Sequence, residues 1–120
     1  MTKKTLVLGA SLNTARYSNK AIHSLRKHNV ATVAVGLRTG KVLDVEIHKG
    51  MTDFEDIHTV TLYLNPQRQE EYYDYIINLE PQRVIFNPGT ENPALYAMLH
   101  EHQIEVENAC TLVMLGTRQY

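Results

Sequence analysis

Thr5-Leu6-Val7-Leu8-Gly9-Ala10-Ser11-Leu12-Asn13-Thr14-Ala15-Arg16-Tyr17-Ser18 reads as a buried strand that ends in a glycine turn and runs straight into a helix. Such a junction leaves several backbone N–H groups without intrahelical partners at the positive end of the helix dipole, where a phosphate group satisfies them together. Gly9 supplies the tight turn of the dinucleotide fingerprint G-x-G-x-x-G, but Ser11 and Thr14 stand where its second and third glycines belong. Polar groups replace them: Ser11, Asn13, Arg16 and Ser18 can all donate to phosphate oxygens. A cation in the first helical turn is unfavourable beside the dipole, an oddity that a bound anion removes. The plainer alternative is that Ser11 or Asn13 caps the helix and Arg16 is a solvated charge.

Outward from this junction the chain alternates strand-like apolar runs with helical stretches, the pattern of a parallel sheet covered on both faces. The first strand is Thr5 to Gly9, and the first helix runs from Ala15 to His28 with Ala21, Ile22 and Leu25 on its inner face and Lys20, Arg26 and Lys27 left to solvent. Ala31 to Gly36 forms the second strand. A short third strand around Val45 and Ile47 sits at the sheet edge, with room for an extra edge strand. The fourth strand, His58 to Leu64, stops at Asn65-Pro66, because proline cannot donate a ladder hydrogen bond. A helix from Gln67 to Leu79 packs through Tyr72, Ile76 and Leu79 and ends before Pro81. Gln82 to Phe86 is the fifth strand, followed by the turn Asn87-Pro88-Gly89. A helix from Asn92 to His102 turns Leu95, Met98, Leu99 and His102 inward. A last short strand near Ile104 to Glu107 and a segment from Cys110 to Gly116 complete the chain.

These elements predict an α/β fold: a three-layer, Rossmann-like doubly wound sheet, mostly parallel, with strand order 3-2-1-4-5, made by residues 1–120 as one domain. Ligands in such sheets lie outside the carboxyl ends of the strands where the winding reverses, between the first and fourth strands. That rule gathers Gly9 to Ser18, Leu37 to Lys41, Tyr63 to Gln67 and Asn87 to Asn92 around one crevice.

Composition sets the bounds. The chain has 120 residues and a formal charge of −1, which gives no global attraction for nucleic acid or an anionic membrane. No apolar run reaches membrane length, and Met1-Thr2-Lys3-Lys4 precedes only a strand-sized stretch rather than a secretory h-region, so the chain reads as cytoplasmic. One cysteine, Cys110, forms no internal disulfide and reads as a buried, inert thiol. His100 and His102, two apart on a helix, cannot share an ion. His102 should border the core, and Asp53, Glu55 and Asp56 read as a helix start or a solvated loop. Tyr72, Tyr73 and Tyr75 cannot all face one core, which leaves one or two rings for another surface, such as a homodimer contact.

After the second strand, Gly36-Leu37-Arg38-Thr39-Gly40-Lys41 carries two cations where a site for an unphosphorylated adenosine ribose uses an acid. Arg38 and Lys41 would favour a ligand with an extra ribose phosphate, as in coenzyme A (CoA) or NADP. Tyr63, at the rim, is placed to stack on adenine or line a pantetheine path.

Gly9-Ala10-Ser11-x-Asn13-x-x-Arg16-x-Ser18 resembles the opening motif of the small bacterial CoA-binding proteins, which are similar to the CoA-binding domain of the succinyl-CoA synthetase α subunit. Phe86-Asn87-Pro88-Gly89-Thr90-Glu91-Asn92 resembles that family's loop after the fifth strand, and Asn108-Ala109-Cys110 its terminal segment. Thr14 stands where the family usually has proline, and Gly36-Leu37 where it has asparagine-proline. The resemblance implies a Rossmann-like domain that binds CoA or an acyl-CoA without catalysis. Gly9, Ala10, Ser11, Asn13, Arg16 and Ser18 would hold the pyrophosphate, while Asn65, Pro66, Asn87, Pro88, Gly89 and Asn92 flank the pantetheine arm. The rival is an NADP-dependent oxidoreductase or an acyl-CoA enzyme using Cys110, for which 120 residues leave little room for a substrate domain.

Overall fold

The computed structural model describes residues 3–120. Met1 and Thr2, which begin the stretch tested above for a leader, lie outside the described residues. Seven strands form one sheet: β1 (Thr5–Ala10), β2 (Thr32–Gly36), β3 (Gly40–Val42), β4 (Val45–Lys49), β5 (Thr59–Leu62), β6 (Arg83–Phe86) and β7 (Glu105–Asn108), in the order β3-β4-β2-β1-β5-β6-β7. The five predicted strands stand in the expected order 3-2-1-4-5, here β4-β2-β1-β5-β6, all parallel. Parallel β7 extends one edge, and β3 extends the other as an antiparallel hairpin with β4. That hairpin is the extra edge strand. Its three residues carry no pattern beyond the turn at Thr39-Gly40.

Side chains alternate across the pleat. Leu6 and Leu8 join Val60, Leu62, Ile76, Leu95 and Leu99 in one core, and Val7 joins Ile22, Leu25, Ile47 and Leu115 in the other. Helix α1 (Tyr17–Lys27) and the short α5 (Thr111–Gly116) cover the second face; α3 (Tyr73–Asn78) and α4 (Pro93–Glu101) cover the first. Every residue of β5 and β6 is buried, as expected of central parallel strands.

Several local expectations are corrected. The predicted helix from Gln67 to Leu79 is three pieces: α2 (Pro66–Gln69), a 3₁₀ turn (Glu70–Tyr72) and α3. Tighter winding in the middle re-aims the tyrosines. Tyr72 and Tyr75 are buried, Tyr73 is half-buried, the Tyr75 hydroxyl donates to Thr52 O (2.6 Å), and the Tyr73 hydroxyl accepts from Asn92 Nδ2 (2.9 Å). None of the three is left exposed, so the ground for a homodimer contact on these rings is gone. His102 is exposed, its Nδ1 within 2.9 Å of Met98 O, because the helix ends at Glu101. Arg26 is tied to Asp44 in the β3–β4 turn by Nε–Oδ1 (2.9 Å) and Nη2–Oδ2 (2.8 Å) contacts rather than left to solvent. Asp53, Glu55 and Asp56 lie in a loop.

At the carboxyl edge β1 and β2 come very close. Gly9 has φ +96° and marks a shift of register between Leu8 and Ala10, and a Cβ on Gly36 would lie 2.3 Å from Ala10 O. Gly36→Ala should therefore lose about 1–3 kcal/mol of stability. Gly116→Ala, with nothing within 4 Å of its Cβ, should lose nothing and gain up to about 1 kcal/mol. Urea denaturation of the two variants checks this, and equal midpoints would refute the close approach.

Candidate nucleotide-binding crevice

A crevice of about 780 Å³ opens at the carboxyl ends of β2, β1 and β5. It is lined by Gly9 to Asn13, Arg16 to Ser18, Val35 to Arg38, Tyr63 to Asn65, Arg68, Tyr72 and Pro88 to Thr90. Three arginines and no carboxylate face it, although the whole chain is slightly acidic.

Its floor is the loop after β1. Positive φ at Gly9 turns the chain where a side chain would press on Tyr63 C and Leu64 Cδ2, each 3.0 Å from the Cβ position. Ser11 and Asn13 are occupied with the loop itself: Ser11 Oγ accepts from Asn13 N (3.0 Å), and Asn13 Oδ1 accepts from Ala15 N (2.9 Å). Buried Asn19 donates from Nδ2 to Ser11 O (3.0 Å) and fixes the loop to α1. The N-cap of α1 falls on Arg16, which makes no side-chain cap bond, so neither Ser11 nor Asn13 caps this helix. Asn19 N donates to Arg16 O (3.1 Å), and the first two amides of the helix, at Tyr17 and Ser18, have no acceptor among the described residues.

The other wall is built on buried amides. Asn87 Nδ2 donates to Thr61 Oγ1 (2.7 Å) and Leu62 O (2.9 Å), and its Oδ1 accepts from Thr111 N (2.9 Å). Gln69 Nε2 donates to Leu64 O and Thr90 O, both 2.8 Å, while its Oε1 accepts from Asn92 Nδ2 (2.9 Å). Asn65 Oδ1 accepts from Arg68 N (2.9 Å) and caps α2.

Of the residues singled out in the sequence, Gly9, Ala10, Ser11, Asn13, Arg16, Ser18, Arg38, Tyr63, Asn65, Pro88 and Gly89 line this one crevice. Lys41, Pro66, Asn87 and Asn92 do not. Lys41 lies in β3 opposite Glu46, Pro66 opens α2, and Asn87 and Asn92 are buried in the hydrogen bonds behind the wall. Cys110, read as buried, is half-exposed at the N-cap of α5 and outside the lining. Leu12, Tyr17 and Thr90 fall within the stretches gathered around the crevice without having been given a role, and sequence reasoning missed Val35, Gly36, Arg68 and Tyr72. For Arg68 a signal existed, since it follows directly on the strand end at Asn65-Pro66 that the switch-point rule puts at the rim.

Burial pushes the Tyr63 phenol up to about 12, and burial with Asp53 nearby does the same for Tyr75. Both stay protonated through the physiological range. Their unfolded value is about 10, so the stability they contribute is complete below about pH 10 and is lost as pH rises towards 12. Burial also raises Tyr72 and Tyr120, so absorbance titration should show four of the seven tyrosines ionising late, and Tyr63→Phe should flatten the fall in stability above pH 10. A single phenolate transition near pH 10 in the folded protein would refute this.

A family model described as "CoA binding domain" matches residues 3–116. The chain belongs to that family. A crystal structure of an uncharacterized protein is 46% identical with a TM-score of 0.96, covering 100% of this chain and 99% of its own. A hypothetical protein from Pyrococcus horikoshii OT3 is 24% identical (TM-score 0.87, 98% and 84% covered), and cell-free ID.343 from Thermus thermophilus is 20% identical (TM-score 0.86, 99% and 91% covered). These last two share the fold. No curated protein matches the chain.

Proposed function

We propose that this member of the CoA-binding domain family holds CoA or an acyl-CoA in the crevice above β2, β1 and β5 as a binding module without catalysis. The observation that carries the reading is the lining itself: an uncapped helix start on a glycine turn, with Arg16 and Arg38 beside it and no acid. The pyrophosphate lies over the turn that follows Ala10 and against the first amides of α1, Tyr17 N–H and Ser18 N–H, with Arg16 beside it. Arg38, after β2, takes the ribose phosphate, and Lys41, outside the lining, leaves that contact to Arg38 alone. Leu12, Tyr17 and Leu37 are exposed by 44%, 67% and 63% on the same rim and offer an apolar bed for adenine. Asn65, Pro88 and Gly89 flank the pantetheine arm, while Asn87, Asn92 and Pro66 set the loops that carry it. Cys110 has no place in the chemistry of this crevice.

Calorimetric titration with CoA, dephospho-CoA, NADP, NAD and ATP tests the assignment. CoA should bind. Arg38→Ala should weaken CoA about tenfold and dephospho-CoA by about twofold or less, since a charge-assisted contact to one phosphate is removed. NADP binding without CoA binding would overturn the assignment, and equal losses for the two CoA forms would remove the role given to Arg38.

A further inference from the structure

Arg68 is the cation of the crevice that the nucleotide does not use. CoA carries its negative charge in two places, the ribose phosphate and the pyrophosphate, which Arg38 and Arg16 serve in the reading above. Arg68 enters from the opposite side of β1, on α2 after β5. The three arginines therefore follow β2, β1 and β5 in turn across the sheet, and Arg68 lies past the pyrophosphate, towards the thiol end of the ligand. Among the described residues its guanidinium has no ion pair, and its only hydrogen bond is from the backbone N–H to Asn65.

Tyr72 is a second, independent feature of the same wall. It lines the crevice at 9% exposure, with its ring edge-on to Tyr75. Neighbouring Tyr73 and Tyr75 both have partners for their hydroxyls, whereas the Tyr72 hydroxyl has none among the described residues. Since no enclosed side-chain oxygen among the described residues lacks a partner, the Tyr72 hydroxyl at the end of this buried ring is open to solvent and free to take one. Arg68, on α2, and Tyr72, at the end of the 3₁₀ turn that follows, line the same wall of the crevice; burial and Glu71 push the Tyr72 phenol up and the Arg68 charge pulls it down. A guanidinium next to a free phenolic O–H is a donor pair for a carboxylate.

We infer that the crevice selects acyl-CoA thioesters whose acyl chain ends in a carboxylate, held by Arg68 and Tyr72. The inference rests on the CoA reading and adds to it the class of acyl group. It also gives the unpaired guanidinium, the unpartnered phenol and the acid-free lining one common purpose.

The test is calorimetric titration of the protein, Arg68→Gln and Tyr72→Phe with CoA, acetyl-CoA, butyryl-CoA, malonyl-CoA, succinyl-CoA and glutaryl-CoA. At least one carboxyl-ended thioester should bind about tenfold tighter than the neutral chain of similar length. Arg68→Gln should abolish that advantage and Tyr72→Phe reduce it, with CoA itself changed less than about twofold in both. The inference is overturned if no carboxyl-ended thioester is preferred, or if Arg68→Gln weakens CoA, butyryl-CoA and succinyl-CoA by one factor, which would put the guanidinium on the pyrophosphate. Either result leaves the CoA reading standing. Failure of CoA to bind the unaltered protein removes both.

Discussion

At the carboxyl edge of the sheet, two glycines decide where the backbone can go. Gly36 lets Ala10 O approach to a distance no Cβ tolerates, and Gly9, in the left-handed region, lets β1 leave the sheet under Tyr63 and Leu64 instead of running on. The result is a loop whose side chains are spent on holding the loop: Ser11 and Asn13 accept from amides two residues on, and Asn19 clamps the turn from below. The amides of Asn13, Ala15 and Arg16 are thereby satisfied within the loop, and the first two of α1, at Tyr17 and Ser18, are left open beside a turn whose shape is already fixed.

The same division of labour recurs on the opposite wall, with side-chain amides in place of glycines. Asn87 joins β5, β6 and α5, and a continuous run from Thr90 through Gln69 to Asn92 and Tyr73 joins the loops that follow β5 and β6. Among the described residues no buried side-chain nitrogen or oxygen is left unpaired. A polar network satisfied to that degree specifies one geometry, because any shift orphans a buried donor or acceptor. Asparagines at the end of a strand thus serve the crevice from behind.

That distinction explains what the sequence could and could not disclose. The central strands were legible because parallel strands buried on both faces must be apolar and β-branched throughout, as Val7, Val60 and Val84 are, and the end of the fourth strand was legible from Asn65-Pro66. The first loop was legible because glycine next to a helix start has few other uses. Asn87 and Asn92 were read as ligand contacts since a polar residue in a glycine-bearing loop looks the same whether it faces a ligand or the interior. The break at Glu70–Tyr72 had no sequence mark: no proline or glycine stands in it, and Tyr72 and Tyr75, three apart, would share one face of an unbroken helix as well. The rim residues Leu12, Tyr17 and Tyr72 follow no periodicity; they are defined by a cavity that exists only once the loops are placed.

Charge completes the argument. A chain with a formal charge of −1 cannot attract a polyanion as a whole, so attraction must come from uneven distribution. No carboxylate residue is in the lining: Asp44 is paired with Arg26, Glu107 lies 3.4 Å from Arg83, Glu46 sits on the edge hairpin, and Glu91, beside the rim, accepts from Gly89 N (2.9 Å). Within that concave surface the low-dielectric walls focus the field of Arg38, Arg16 and Arg68, which follow the adjacent strands β2, β1 and β5 in turn. The sheet order, more than any single loop, therefore decides how positive charge is distributed along the crevice.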